Sequence, residues 1–258
     1  MSVLGDLARL EGGGQPFVCV TLIAARGSVP QEVGAKLLVS ARGRESGTIG
    51  GGRIEEAAIA RARSLLKAKK SPRCETVEWN LQRDVGMTCG GVVTLLFEIL
   101  NHGIWKIVIF GAGHVAQALV RVLAPLRCRV LVIDSRRDWL DTLPKLPNIE
   151  AVFADPPEGA VKALPEGAFV ALMTQGHRSD KPVLERILKT RSFPYLGVIG
   201  SASKAAVLRR ELKESGVSPA KCRAFRCPLG LPLGNDEPEE IALSIAAEMV
   251  QARDNPKN

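Results

Sequence analysis

The feature that most constrains the fold is a glycine-rich turn between an apolar run and an amphipathic segment. Residues 107–110 are all apolar, and Gly111-Ala112-Gly113-His114-Val115-Ala116 follows them directly. Glycine at 111 and 113 permits a tight turn and a close backbone approach, while the small Ala116 lets a helix pack onto the strand. Free N–H groups at the start of such a helix attract a phosphate. The pattern predicts the first strand and helix of a Rossmann-like domain, with Gly111 and Gly113 as ligand-binding residues.

An acidic residue follows at the distance that suits this fold. Asp134 ends the next apolar run, 18 residues after Ala116, where an acid binds ribose hydroxyls in dinucleotide-binding domains. Two interpretations stay open. The domain binds NAD, or it keeps the scaffold without using a dinucleotide for chemistry, because a fold does not determine a function. His114 either contacts an anionic ligand or faces solvent at the start of the helix.

The remainder of the C-terminal half alternates short apolar runs with segments of helical period, which is typical of a parallel sheet with crossover helices. The sequence predicts an α/β fold with a doubly wound parallel sheet in this half. The predicted strands are Ile107 to Phe110, Val130 to Ile133, Phe169 to Met173 and Tyr195 to Ile199.

Polar loops follow the last two predicted strands. Ligands of open α/β sheets bind outside the carboxyl ends of the strands, so we predict that Gly200 and Ser201 contact a ligand. In the preceding loop, His177 and Asp180 are either ligand-binding residues or parts of a helix cap.

The N-terminal half has a different rhythm, with many glycines and short β-rich runs. We predict a mixed α/β domain over residues 1–102 and the Rossmann-like domain over residues 103–258, because turn residues lie at Asn101-His102-Gly103. The predicted elements of the first domain are strands at Phe17 to Ala25, Ala35 to Ser40, Thr76 to Leu81 and Gly91 to Leu100, and a helix at Ile54 to Lys69.

Composition excludes several classes of protein. The formal charge of +8 comes from 35 Lys and Arg against 27 Asp and Glu. With one Tyr and seven Phe, and only 4% of the residues aromatic, few rings are present for base stacking, so we expect no nucleic-acid partner. The apolar run at residues 92–97 is interrupted by Glu98, well short of the roughly 18 residues that a membrane helix needs. The first residues show no apolar signal region, so we expect no membrane association and a cytoplasmic location.

Six cysteines are present, none of them in a C-x-x-C pair. In a reducing compartment, five of them are expected to be small buried apolar residues. Cys89 differs because it lies in Gly86-Met87-Thr88-Cys89-Gly90-Gly91, where backbone N–H groups favour a thiolate that ligates a soft metal or attacks sulfur. From the residues alone, a structural role for Cys89 remains open.

Several motifs, in order over nearly the whole chain, together resemble the XdhC/CoxI family. They are Arg26-Gly27-Ser28-Val29-Pro30, Gly34-Ala35-Lys36, Gly47-Thr48-Ile49-Gly50-Gly51-Gly52 with Glu55, the Cys89 motif, the Gly111 turn, Gly197-Val198-Ile199-Gly200-Ser201 with Lys204, and Cys227-Pro228-Leu229-Gly230-Leu231 leading into Glu239 to Glu248. The combination is far more specific than any single motif.

The resemblance implies a chaperone that binds the molybdenum cofactor, holds it while a cysteine desulfurase supplies the sulfido ligand, and inserts it into an apo-enzyme of the xanthine dehydrogenase type. It also implies a homodimer and no turnover of its own. On this basis Cys89, with Gly90 and Gly91, is a transient molybdenum or sulfur contact. Gly111 and Gly113 cradle the pterin phosphate, and Gly50, Gly51 and Gly52 line the same cleft.

Three positions depart from the family pattern: Gln31 follows the proline where Arg is expected, Thr174-Gln175-Gly176-His177 replaces a Thr-His, and Ala202 stands where Arg commonly follows Gly-Ser. The missing arginines weaken the expected phosphate contacts. Two alternatives belong to other classes: an NAD-dependent oxidoreductase with His177 as acid or base, and a nucleotide-binding regulatory module. The first lacks a hydride-transfer constellation such as Tyr-x-x-x-Lys, and the second leaves the Cys89 motif without a role.

Overall fold

Two five-stranded sheets, one antiparallel and one parallel, organise the chain. The computed structural model describes residues 2–68 and 72–255, and the two units that contain these sheets divide between Ile104 and Trp105. The antiparallel sheet belongs to the N-terminal unit and the parallel sheet to the C-terminal unit. This combination is the predicted fold class: a mixed α/β unit followed by a Rossmann-like one.

The N-terminal unit is a sheet with one helix on each face. Its strands, in the order β3-β2-β1-β5-β4, are β1 (Phe17–Arg26), β2 (Lys36–Ser40), β3 (Gly43–Gly47), β4 (Cys74–Asn80) and β5 (Val92–Leu100). Alternate residues of β5 are buried, so Leu95 and Phe97 pack with Ile54 and Ala58 of α2 (Gly52–Lys67). On the opposite face, Phe17 packs with side chains of α1 (Val3–Gly13).

The C-terminal unit is a parallel sheet with helices on both faces. The strands, in the order β10-β9-β6-β7-β8, are β6 (Trp105–Phe110), β7 (Cys128–Asp134), β8 (Ile149–Phe153), β9 (Phe169–Leu172) and β10 (Tyr195–Val198). The helices are α3 (His114–Leu123), α4 (Arg137–Asp141), α5 (His177–Thr190), α6 (Ala202–Glu214), α7 (Pro219–Cys222) and α8 (Pro238–Asp254), with a 3-10 helix at Pro157–Ala163. The order changes direction at β6 and β9, and ligands of such sheets bind beside that point.

The two faces of this sheet form separate cores. Side chains of α3 and α8, such as Leu119 and Ile245, pack against one face, and side chains of α5 and α6, such as Leu184 and Leu208, pack against the other. Strands buried on both faces are apolar throughout, which is why the four apolar runs of this half predicted β6, β7, β9 and β10 to within two residues at either end.

The elements that were not predicted are β3 and β8, which are edge strands, the helices α1, α4 and α7, and the 3-10 helix at Pro157–Ala163. The predicted helix at Ile54 to Lys69 is α2, which begins two residues earlier and ends at Lys67; Lys69 lies outside the described residues. Within the described ranges, no helix has both the length and the apolar character needed to cross a membrane.

Candidate functional site

The turn between β6 and α3 has the predicted strand, turn and helix. The strand ends at Phe110 and the helix begins at His114, with Gly113 as an N-cap that makes no side-chain hydrogen bond. Gly111 has a φ of +103°, and a Cβ atom there would lie 2.2 Å from the carbonyl oxygen of Met173. Glycine at 111 therefore lets the ends of β6 and β9 approach, while the first turn of α3 keeps backbone N–H groups available to an anion.

Asp134 is placed at the end of β7, as predicted, but its carboxylate already has partners. It accepts hydrogen bonds from the backbone N–H of Ala112 at 2.7 Å and of Arg136 at 2.9 Å. The guanidinium of Arg136 also binds it, with Nε at 3.0 Å and Nη2 at 2.8 Å. Burial raises the pKa of Asp134, but these hydrogen bonds outweigh burial and lower it overall. A ribose would have to displace Arg136 to reach this carboxylate.

His114 lies at the start of α3 with its side chain exposed. Its ring meets the ring of Trp139 edge-on, with the centroids 5.0 Å apart. Arg136 lies over the same Trp139 ring, 4.9 Å from its centroid. The three side chains form a chain of contacts from Asp134 to the start of α3, so His114 belongs to the surroundings of the glycine turn.

Gly200 and Ser201 begin α6 at the same carboxyl edge of the sheet. The Ser201 hydroxyl accepts a hydrogen bond from the backbone N–H of Lys204 at 3.3 Å and caps the helix. A Cβ atom at Gly200 would lie 2.5 Å from the Lys204 side chain. In this conformation both predicted ligand contacts serve the local structure around Lys204.

Lys204 is the partner of a fully buried carboxylate. Its Nζ atom donates to Asp180 Oδ2 at 2.5 Å and to the carbonyl oxygen of Ile199 at 2.8 Å. Asp180 Oδ1 accepts from the hydroxyl of Thr174 at 2.7 Å. Asp180 lies inside the first turn of α5 and ties the loops that follow β9 and β10 together.

His177 does not line the crevice beside Gly111. Its Nε2 atom is 3.0 Å from Glu211 Oε2 on α6, and Lys181 binds the same oxygen at 3.2 Å. The hydrogen bond from His177 is the main cause of the lowered pKa of Glu211. This arrangement is an ion-pair contact between α5 and α6, and it gives His177 no role as an acid or base at the crevice.

A cavity of about 300 Å³ opens between the carboxyl ends of the strands, and Gly111 and Asp134 form part of its wall. Four charged side chains that the sequence did not single out also line it: Arg136, Asp155, Glu158 and Arg178. Each of these residues follows the end of a strand or lies at the start of the next helix. That position in the sequence could have predicted them as residues that line the site.

In the N-terminal unit, three of the glycine motifs converge. A Cβ atom at Gly50 would lie 2.4 Å from Pro30, and one at Gly91 would lie 2.2 Å from the carbonyl oxygen of Ser28. Arg53 Nη1 donates to the carbonyl oxygen of Gly86 at 2.6 Å. The loops at residues 26–30, 47–52 and 86–91 therefore form one set of touching loops, which we call the glycine-loop cluster.

Glu55 fixes the loop at residues 47–52. Its buried carboxylate accepts hydrogen bonds from Thr48, from the backbone N–H of Ile49 at 3.2 Å and from that of Gly51 at 3.0 Å. Burial raises the pKa of Glu55, but these bonds and one from Arg44 outweigh burial, and the pKa is lowered. The N–H of Gly51 is thus bound within the loop, while Gly50 and Gly52 lie on either side of it.

Cys89 lies in the glycine-loop cluster as a half-buried free thiol that packs against the core of the unit. The other five cysteines were predicted to be buried. This prediction is wrong for Cys74, which is exposed on the edge strand β4, whereas Cys227 is half-buried. Within the described residues, no group of three or more His, Cys, Asp or Glu side chains could hold a metal ion, so any metal contact by Cys89 needs ligands from elsewhere.

The sequence-predicted residues thus fall into two sets. Cys89, Gly90 and Gly91 share the glycine-loop cluster with Gly50, Gly51 and Gly52. The other set, at the carboxyl edge of the parallel sheet, comprises Gly111, Gly113, His114, Asp134, Gly200 and Ser201.

Comparison with known families agrees with these motifs. The family model for the XdhC Rossmann domain matches residues 107–249, more than half of the chain, and the model for the XdhC and CoxI family matches residues 11–79. The chain belongs to the XdhC/CoxI family. The predicted resemblance is therefore confirmed.

Curated relatives of this XdhC/CoxI chain include two proteins from Escherichia coli strain K12. The uncharacterized protein YqeB is 31% identical over 99% of this chain, which spans 47% of YqeB. The molybdenum cofactor insertion chaperone PaoD is 24% identical over 93% of this chain and 84% of its own length. A protein from Bacillus subtilis strain 168, described as a probable subunit of xanthine dehydrogenase, is 29% identical over 57% of this chain, and the match covers 43% of that protein. The chain spans about half the length of the first of these relatives.

Among solved structures, a protein from Bacillus halodurans described as a xanthine dehydrogenase has the same fold. The match covers 100% of this chain and 97% of that protein, with a TM-score of 0.50 and 22% sequence identity. This likeness confirms the α/β architecture of the XdhC/CoxI chain.

Proposed function

We propose that this protein is a carrier that binds the molybdenum cofactor and inserts it into a molybdoenzyme of the xanthine dehydrogenase type. The observation that carries the proposal is the match to PaoD, a molybdenum cofactor insertion chaperone, over 93% of this chain and 84% of PaoD. A match of that extent spans most of both units. The cofactor is cargo in this proposal, and the protein performs no turnover.

The proposed contact to the metal side of the cofactor is Cys89. A carrier must release its cargo, so a single soft thiolate suits it better than a closed set of protein ligands. Cys89 is half-buried among backbone-rich glycine loops, where a thiol is accessible to a ligand but shielded from bulk solvent. Gly90, Gly91 and the loop at Gly50–Gly52 are proposed to shape the same contact.

The turn at Gly111 and Gly113 and the start of α3 are proposed to hold the phosphate of the pterin. The N-cap residue of α3 is Gly113, which has no side chain that could bind the first N–H groups of the helix. These N–H groups therefore suit an anion. We further propose a cysteine desulfurase that supplies sulfur during the holding step, an apo-molybdoenzyme as the recipient, a homodimer and a cytoplasmic location.

No observation favours the NAD-dependent alternative. The Asp134 carboxylate that would bind the ribose is bound to Arg136 and Ala112, and His177 is paired with Glu211. Both groups that the oxidoreductase hypothesis needs are therefore engaged elsewhere in this conformation.

The test is retention of cofactor by the purified protein. The apo-protein is incubated separately with molybdenum cofactor and with NAD, and bound molybdenum, pterin and nucleotide are measured after gel filtration. We expect stoichiometric pterin and molybdenum without NAD. Stoichiometric NAD without pterin would overturn the proposal.

A cysteine variant locates the contact. Cys89→Ala should lower retained molybdenum strongly, because it removes the proposed soft ligand of the metal. The matched control is Cys74→Ala, which removes an exposed free thiol from the same unit and should retain cofactor as the unaltered protein does. Equal losses in the two variants would contradict the role of Cys89.

A further inference from the structure

The cavity beside the glycine turn has the size of one heterocycle with a short substituent. It measures about 300 Å³, the lower end of the roughly 300–1,000 Å³ range of small-molecule sites. Its wall comes from the ends of β6, β7 and β9, from the segment after β8 and from the start of α5. A whole dinucleotide exceeds this volume, so the cavity fits one part of a larger ligand or one small ligand.

The wall carries charges of both signs. Arg136 follows β7 and Arg178 lies in the first turn of α5, while Asp155 and Glu158 follow β8. A cavity for a simple anion would not place two carboxylates beside the arginines, because like charges repel the ligand. The wall instead fits a ligand that has an anionic group and also a set of N–H donors.

Arg136 is held in place by its contacts and keeps one guanidinium nitrogen that can donate hydrogen bonds to a ligand. Its Nε and Nη2 atoms bind Asp134, and its guanidinium lies over the Trp139 ring. In the described part of the chain these hydrogen bonds leave Nη1 available. Asp134 is therefore a positioning residue, which holds an arginine where dinucleotide-binding folds present a carboxylate to ribose.

We propose that this cavity binds a phosphorylated ligand with a 2-amino-4-oxopyrimidine edge, the hydrogen-bonding edge shared by pterins and guanine. Arg136 and Arg178 bind the phosphate together with the turn at Gly111, which lines the same cavity. Asp155 and Glu158 each accept one charge-assisted hydrogen bond, from the amino group and from the neighbouring ring N–H respectively. The inference rests on the proposed function, since a pterin phosphate is part of the proposed cargo, and it assigns that part to four named side chains.

The test measures ligand binding by isothermal titration calorimetry on the full chain. The probes are neopterin monophosphate and GMP, which carry the edge and a phosphate, and AMP, which carries only the phosphate. We expect AMP to bind at least about tenfold more weakly than the better of the other two, since each charged hydrogen bond lost costs about a factor of ten or more. Whichever of neopterin monophosphate and GMP binds more tightly shows whether the cavity prefers a pterin or a guanine.

Substitutions assign the contacts. Asp155→Asn and Glu158→Gln should each weaken the better probe about tenfold but should not weaken AMP, because they remove a charge that repels its phosphate. Arg178→Gln should weaken all three probes. The matched control is Glu166→Gln, which removes an exposed carboxylate of the same unit and should change nothing. Equal binding of AMP and the better probe, or unchanged binding in both Asp155→Asn and Glu158→Gln, would overturn the proposal.

Failure of this inference is distinguishable from failure of the proposed function. If Asp155→Asn and Glu158→Gln bind probes and retain molybdenum cofactor as the unaltered protein does, only the inference is lost. If the unaltered protein retains no molybdenum cofactor but binds GMP through these carboxylates, the cavity assignment stands and the carrier function fails.

Discussion

The carboxylate of Asp134 accepts a hydrogen bond from the backbone N–H of Ala112 at 2.7 Å, so the acid at the end of β7 holds the glycine turn that follows β6. The conformation of the turn therefore depends on this hydrogen bond to a neighbouring strand as well as on the glycines of the turn. Because Asp134 also binds Arg136, the same carboxylate sets the conformation of the turn and the position of a guanidinium at the cavity wall.

The first prediction concerns the pH dependence of this contact. The pKa of Asp134 is lowered in the folded protein, so its contribution to stability is complete above the ordinary aspartate pKa of about 3.9 and is lost as the pH falls through the lower folded-state pKa. Asp134→Asn should reduce the free energy of unfolding at pH 7 by about 1–3 kcal/mol. Urea titrations at pH 7, 5, 4 and 3 measure this difference between the two proteins.

The difference in the free energy of unfolding between the unaltered protein and Asp134→Asn should be the same at pH 7 and 5 and should become smaller below about pH 4. A difference that stays constant down to pH 3 would show that the Asp134 carboxylate contributes no ionised hydrogen bonds to the fold.

The second prediction separates the two glycines after Cys89. A Cβ atom at Gly91 would lie 2.2 Å from the carbonyl oxygen of Ser28, whereas one at Gly90 would meet nothing within 4 Å. Gly91→Ala should therefore lower the free energy of unfolding by about 1–3 kcal/mol through overpacking. Gly90→Ala is the matched control and should unfold at the same urea concentration as the unaltered protein. Equal stability of both variants would mean that the glycine-loop cluster is less tightly packed than its contacts indicate.

The third prediction concerns the buried pair between Lys204 and Asp180. Asp180 is fully buried, so Lys204→Met leaves an unpaired carboxylate and should cost about 3–5 kcal/mol. The control, Lys189→Met, breaks an exposed ion pair with Glu185 in the same unit and should cost about 0.5 kcal/mol or less. Chemical denaturation of both variants measures the contrast, and a similar small loss in each would show that the buried pair does not stabilise the fold.

Much of the fold could be predicted because its strongest signals are local. Apolar runs of the C-terminal unit become strands that helices bury on both faces, and the spacing of Gly111, Gly113 and Ala116 specifies the turn between β6 and α3. The edge strands β3 and β8 could not be predicted in the same way. None of their residues is buried, so they lack continuous apolar runs, whereas the edge strand β10 is buried throughout and was predicted.

For the candidate site too, some features could be predicted from local sequence and others could not. By itself the sequence determined the family, the parallel sheet of the C-terminal unit and the positions of the glycine motifs, because these depend on residue type and spacing. Only the tertiary structure decided which polar groups are already bound. Asp134 binds Ala112 and Arg136, Ser201 caps α6, and His177 pairs with Glu211. Partners that lie up to 34 residues away along the chain meet through packing, and packing over such distances leaves no local pattern in the sequence.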